Sequence, residues 1–175
     1  MTVRPATATD RDAIQAIHRA AFPEGERDLV SALAARLLTE ETQPPTLSLV
    51  AEKDGRVVGH IAFSPVKIGE TETSAFLLAP LAVDPDEQKS GVGSKLVEFG
   101  IETLRNAKVS LLFVYGDPAY YGRFGFEDDL AAGFPPPHPL EFPFGWLARS
   151  LAEGSPPEPP RPITCVPALS DPALW

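Results

Sequence analysis

Apolar and polar positions along this chain change period from segment to segment, and the changes mark out its elements. Thr2 to Ala6 reads as a short strand. Thr9, with Asp12 three residues on, imitates a capping box, and Ala13, Ile14, Ile17 and Ala21 then recur at helical spacing until Phe22-Pro23-Glu24-Gly25 stops them. A second helix begins near Glu26, with Leu29, Val30, Leu33 and Leu37 on one face, and Pro44-Pro45 separates it from the next strand. Leu47 to Lys53 and Arg56 to Phe63 read as strands joined by Asp54-Gly55, a strong hairpin signal. Gly69 turns the chain into a third strand, which completes an antiparallel meander.

That third strand is the unbroken apolar run Ala75 to Val83, interrupted only by Pro80. Such a run suits a strand covered on both faces, and a proline inside it suits a bulge or a place where pairing to a neighbour ends. The strand is therefore expected to splay from one neighbour. Asp84-Pro85-Asp86 ends it, and Val92, Leu96, Val97, Ile101 and Leu104 then form a helical stripe, with Lys95, Glu98, Glu102 and Arg105 on the other side. Val109 to Tyr115 reads as a strand lying parallel to the third one through a right-handed crossover. Gly116-Asp117-Pro118 starts a short helix over Ala119 to Phe124, Gly125 ends it, and Phe126 begins another strand. The remaining residues, 127–175, hold 12 of the 20 prolines; Phe142 to Leu151 and Pro162 to Val166 read as strands of a hairpin joined through Ser155 to Pro160.

Gly91 and Gly93 fall at the start of the long helix, where four backbone N–H groups lack an intrahelical partner and the dipole favours an anion. They read either as a phosphate cradle, with Lys89 or Lys95 adding charge, or as the backbone needs of a tight strand-to-helix turn. Two familiar phosphate motifs do not fit. Gly93 is followed by Ser94-Lys95, the reverse of a P-loop, and Leu96 stands where a dinucleotide fingerprint needs its third glycine.

Leu81-Ala82-Val83-Asp84-Pro85 followed by Gln88-Lys89-Ser90-Gly91-Val92-Gly93 resembles the acyl-CoA-binding motif of GNAT-family N-acetyltransferases, whose core is Gln/Arg-x-x-Gly-x-Gly/Ala. Tyr121, Gly125 and Phe126 match the family's Tyr-x-x-x-Gly-Phe signature, and the run Gly116 to Phe126 is similar to a bacterial subgroup of acetyltransferases. The resemblance implies the GNAT acyl-CoA N-acyltransferase fold, an α/β (α+β) architecture with a mixed central sheet, a splayed parallel strand pair and flanking helices. It implies acetyl-CoA as cosubstrate. Gln88, Lys89, Gly91, Val92, Gly93 and Ser94 then match the pyrophosphate loop, and Leu81 and Val83 the strand along the pantetheine arm, which lies in the slot between the parallel strands. The Val83 N–H matches the family's usual oxyanion donor, and Glu24 and Glu26 would line the acceptor side.

Acyl transfer from a thioester to an amine needs a deprotonated amine, a stabilised oxyanion and a proton for the departing thiolate. The resemblance gives that last role to Tyr121, which the ordinary tyrosine value near 10 keeps protonated at neutral pH. Without the motif, Tyr121 would read as an amphipathic aromatic under the sheet edge, with Tyr120 as its structural partner. Asp117 stands near where many family members place an asparagine that orders cofactor and tyrosine; a helix cap accounts for it equally well. His60 reads as a satisfied core histidine, and no general base is identified.

Composition narrows the classes. The 175 residues suit a single domain, 1–175, with a core over 2–126 and a proline-rich extension over 127–175. A net charge of −9 argues against nucleic-acid and anionic-membrane partners, which need basic surface. The single cysteine, Cys165, rules out an intrachain disulfide and is not read as catalytic, and no metal-ligand spacing occurs. No signal region or membrane-length apolar run is present, so a cytoplasmic protein is expected. The expected activity is transfer of an acetyl group from acetyl-CoA to a primary amine of a small molecule or protein by direct attack. The rivals are a noncatalytic acyl-CoA-binding sensor and a transferase of another acyl group. Acceptor and oligomeric state are open, a homodimer included.

Overall fold

The computed structural model describes residues 1–154, 157–158 and 160–175. Strands β1 (Thr2–Pro5), β2 (Leu47–Lys53), β3 (Arg56–Ile68), β4 (Ala75–Val83), β5 (Leu111–Tyr115) and β6 (Trp146–Ser150) are hydrogen-bonded in that order, and β7 (Ile163–Thr164) pairs with β3. The sheet is mostly antiparallel, with β4 and β5 as its parallel pair. Helices α1 (Arg11–Ala21), α2 (Arg27–Thr39), α3 (Val92–Asn106), α4 (Pro118–Tyr121) and α5 (Asp128–Ala131) complete the regular elements, with short 3-10 turns between them. The chain divides into two compact units, Met1–Phe63 with Ala79–Gly100 and Ser64–Leu78 with Ile101–Trp175.

In the first unit, β2 and β3 meet through Asp54 and Gly55 at φ 51° and 74°, the left-handed pair that a two-residue hairpin twisted like its strands requires. Ile14, Ala34 and Val50 are buried together, with Ala6, Leu38 and Val57 packed around them. The capping box lies two residues earlier than the spacing suggests. Asp10, not Asp12, accepts the Thr7 N–H at 2.8 Å, because the Arg4 guanidinium grips the Asp10 carboxylate at 2.8 and 2.9 Å and Glu52 at 2.9 Å. That grip, with the Thr7 contact, holds the Asp10 carboxyl down at about 2. Gly59 brings α3 against β3: a Cβ there would stand 2.8 Å from Val92 and 2.9 Å from Leu96. The first turn of α3 is thereby pressed onto the sheet.

In the second unit, β4 and β5 pair over four residues, from Ala75↔Leu111 to Leu78↔Val114, and the ladder ends there. Ala79-Pro80 is a cis peptide, and Pro80 has no N–H to continue a ladder. The core is aromatic. Phe113 stacks on Trp146 at 5.4 Å and meets Phe134 edge-on at 5.5 Å, while the Trp146 indole donates to the Phe134 carbonyl at 2.8 Å. Trp175 stacks on Tyr115 and meets Trp146 edge-on.

The tail departs from its expected hairpin. β6 pairs antiparallel with β5, and β7 with the end of β3, so the two strands are not each other's partners among the described residues. Each is shorter than the run that announces it; ahead of β6, Pro143 begins a 3-10 turn (Pro143–Gly145), and proline cannot supply a ladder donor. Ser155, Pro156 and Pro159 of the expected connecting loop lie outside the described residues. Phe126 does not begin a strand: Glu127 makes a single bridge with Ala148 before α5.

Candidate functional site

The segment after β4 carries the glycine pair, and residues far away in sequence hold it. Asp84 donates its N–H to the Val58 carbonyl at 2.9 Å, and its carboxylate accepts from the Asp86 N–H and from Arg56 at 3.1 Å. Glu87 takes Lys53 at 3.0 Å and Arg56 at 3.7 Å. The two cations flanking the Asp54-Gly55 turn thus anchor the acidic start of the loop. Sequence reasoning missed them; the signal was two cations bracketing a hairpin turn and an acidic Asp84-Pro85-Asp86-Glu87 with no other use. Gln88 reaches back to the Val83 carbonyl at 3.2 Å, and the Ser90 hydroxyl bonds the Glu87 carbonyl.

Lys89 and Gly91 then adopt the left-handed region, at φ 67° and 88°, immediately before the 15 residues of α3. For lysine that conformation is uncommon, and it persists where the surrounding structure imposes it. Gly91 is exposed and Val92 is 3% exposed, so the helix start is fixed from below by Val92 and open above. Apart from its two chain neighbours, no described residue has an atom within 4 Å of a Cβ built on Gly91. The N–H groups of Val92, Gly93 and Ser94 belong to the first turn of α3, where no intrahelical carbonyl precedes them. Gly93 and Ser94 are half-buried, Lys95 is exposed, and on β4 Leu81 and Val83 are half-buried while Ala82 between them is buried.

In the second unit, the Asp117 carboxylate caps α4 by accepting the Ala119 N–H at 2.9 Å, and the Asp117 carbonyl accepts the Tyr121 N–H at 2.9 Å. The cap reading therefore accounts for Asp117. Tyr121 is half-buried, with Tyr120 edge-on at 4.9 Å and Phe126 edge-on at 5.9 Å. Gly125, at φ 83°, makes the turn that returns Phe126 to that ring. Burial raises the Tyr121 hydroxyl above its usual value, and Tyr120 and Asp117 push the same way. Tyr120 carries the Arg123 guanidinium 4.6 Å above its ring, in keeping with a structural role.

His60 is fully buried and satisfied, as expected, though by a residue that sequence reasoning missed. His18 Nε2 and His60 Nδ1 are 2.8 Å apart, and Ser48 Oγ lies 2.8 Å from His60 Nε2. The sign of His18 was its place one turn after Ile14 on the apolar stripe of α1. Glu24 and Glu26 are exposed in the α1–α2 connection. Among the described residues no three His, Cys, Asp or Glu side chains gather as metal ligands, and no helix is long and apolar enough to cross a membrane.

A family model for the acetyltransferase (GNAT) domain matches residues 2–128. The uncharacterized N-acetyltransferase YjhQ of Escherichia coli is 42% identical over 124 residues, which cover 68% of each chain. Two solved structures are similar over most of their length. The GNAT-family N-acetyltransferase YhbS of Escherichia coli, in complex with CoA, has 30% identity and a TM-score of 0.74, covering 86% of this chain and 81% of that one. A GNAT-family acetyltransferase of Brucella melitensis, in complex with acetyl-CoA, has 32% identity and a TM-score of 0.69, covering 95% and 96%. The chain belongs to the GNAT acetyltransferase family.

Proposed function

We propose that this protein is a bacterial, cytoplasmic N-acetyltransferase, working as one domain, that moves the acetyl group of acetyl-CoA to a primary amine. The observation that carries this is the left-handed Lys89–Gly91 turn with empty space over Gly91 at the N-terminus of α3. A pyrophosphate fits such a place, since successive backbone N–H groups and the helix dipole both favour an anion. In this reading Gln88, Lys89, Gly91, Val92, Gly93 and Ser94 hold the pyrophosphate, and Leu81 and Val83 run beside the pantetheine arm. The CoA and acetyl-CoA complexes of the two similar enzymes support the same ligand.

The reaction needs no covalent enzyme intermediate. The amine nitrogen attacks the thioester carbon, the C–N bond forms, and negative charge gathers on the carbonyl oxygen, where the Val83 N–H is the proposed donor. The amine, arriving as an ammonium ion, gives one proton to solvent before it attacks and a second after the C–N bond forms; as the C–S bond breaks, the Tyr121 hydroxyl donates to the departing sulfur and regains a proton from solvent. Glu24 and Glu26, carboxylates at the α1–α2 connection, are the proposed lining that attracts the incoming amine in its cationic form.

The test is thiol release from acetyl-CoA, and from acyl-CoAs of longer chain, across a panel of primary amines, polyamines, aminoglycosides and lysine peptides. Amine-dependent release that is fastest with acetyl-CoA is the expected result. Tight acetyl-CoA binding with no release across the panel would point to a sensor, and faster release from longer acyl groups would change the donor.

A further inference from the structure

The proline-rich extension reaches the floor beneath Tyr121. A Cβ on Gly116 would lie 2.4 Å from Tyr121 Cε2 and 2.9 Å from its Cδ2, so the ring rests directly on the Gly116 backbone. Gly116 is in turn held by the turn Phe142–Gly145. Its N–H donates to the Gly145 carbonyl at 2.9 Å, and the Phe142 N–H donates to the Tyr115 hydroxyl at 2.8 Å. Gly145 closes the arrangement: a Cβ there would stand 2.8 Å from the Gly116 carbonyl oxygen and 3.2 Å from the Tyr115 ring. Two glycines are thus required back to back, and the Tyr115 hydroxyl ties the far end of the same turn.

We propose that Gly116, Gly145 and Tyr115 are positioning residues for the transferase reaction, through which the turn Phe142–Gly145 of the extension sets the place of the Tyr121 ring. The proposal rests on Tyr121 acting at the departing thiolate. A misplacement of about one ångström is enough to cost a general acid much of its effect, and a shift of the Gly116 backbone displaces the ring that rests on it. The extension is then part of the machinery, not an appendage to it.

The chain has three tyrosines, so protein labelled with ¹³C at tyrosine Cζ gives three signals that single Tyr→Phe variants assign. The experiment follows the Tyr121 signal against pH in the wild type, in Gly145→Ala and in Tyr115→Phe, which removes only one oxygen and decides alone if Gly145→Ala does not fold. In parallel, thiol release from acetyl-CoA with n-propylamine as the amine is measured for each substitution, alone and combined with Tyr121→Phe. Expected is a shifted Tyr121 signal that titrates closer to the ordinary tyrosine range. A kcat lower by about tenfold with the acetyl-CoA KM within about twofold is expected too, with no further loss when Tyr121 is already Phe. An unmoved Tyr121 signal in the folded variants overturns the proposal, as does an equal loss in both backgrounds. If the signal moves but Tyr121→Phe alone turns over like wild type, the acid role of Tyr121 fails instead.

Discussion

His18 Nε2 and His60 Nδ1 stand 2.8 Å apart inside the first unit, and neither side chain is exposed to solvent. His60 also meets Ser48 at 2.8 Å, whereas His18 Nδ1 is buried without a hydrogen-bond partner among the described residues. Burial pulls His18 down to about 4; burial and then His18 pull His60 to about 3, opposed by the Asp10 carboxylate.

These values set an acid limit on stability. Unfolded histidines take up protons near pH 6.5, while the folded pair stays neutral to about pH 4, so protons favour the unfolded chain within that window. Stability is full above about pH 6.5 and falls as pH drops toward 4, by roughly 1.4 kcal/mol per pH unit for each proton taken up. Asp10 acts lower down: held at about 2, it stabilises the fold above its ordinary value and loses this as pH falls through about 2. Calorimetric melting from pH 8 to pH 4 should show a plateau and then a decline. The decline should flatten in a folded His18→Gln/His60→Gln protein; an unchanged slope would assign it elsewhere.

Gly91→Val should weaken acetyl-CoA binding by about tenfold or more. The side chain would fill the space above the turn, and valine resists the φ of 88° that Gly91 adopts. Loss of even one hydrogen bond to a charged phosphate is worth that factor. Titration calorimetry on a variant with native circular dichroism checks it, and undiminished affinity would remove the cradle.

Arg56→Ala frees Asp84 and one side of Glu87. Because Arg56 is 59% exposed at its side chain, the ion pairs contribute little to stability, about 1 kcal/mol at most. Acetyl-CoA affinity should fall by a few fold, and raising the salt concentration should narrow the gap between variant and wild type. A loss that persists undiminished in high salt would mean that Arg56 acts by packing.

Tyr121→Phe should lower kcat by about a hundredfold while leaving acetyl-CoA affinity nearly unchanged, since in the proposed reaction the hydroxyl acts at the departing sulfur. Its raised value also predicts that kcat is not lost through tyrosine ionisation as pH climbs through 10, the ordinary midpoint. An alkaline limb at the ordinary value, absent from the Phe variant, would place Tyr121 in a more solvated setting than it has here.

The periodic part of the fold was legible in the sequence. α3 buries Val92, Leu96, Val97, Ile101 and Leu104 as their spacing says, and Asp54-Gly55 makes the expected hairpin. What pattern could not reveal was long-range and polar. The Arg4–Asp10 grip moved a capping box, and His18 sat on an apolar stripe with a partner 42 residues away. In the extension, prolines suppress the alternation by which strands are recognised, so Trp146 to Ser150 emerged as a strand of different pairing. The motif residues were legible individually, but the contact of Gly145 with Gly116 follows only from three dimensions.

Thermal unfolding with and without acetyl-CoA, with adenosine alone as the control, tests the central claim most directly. At 100 times its dissociation constant, a ligand of the folded state adds about 2.7 kcal/mol to stability. A rise in Tm specific to acetyl-CoA, and lost in Gly91→Val, is the predicted result. An unchanged Tm at millimolar acetyl-CoA would contradict the account.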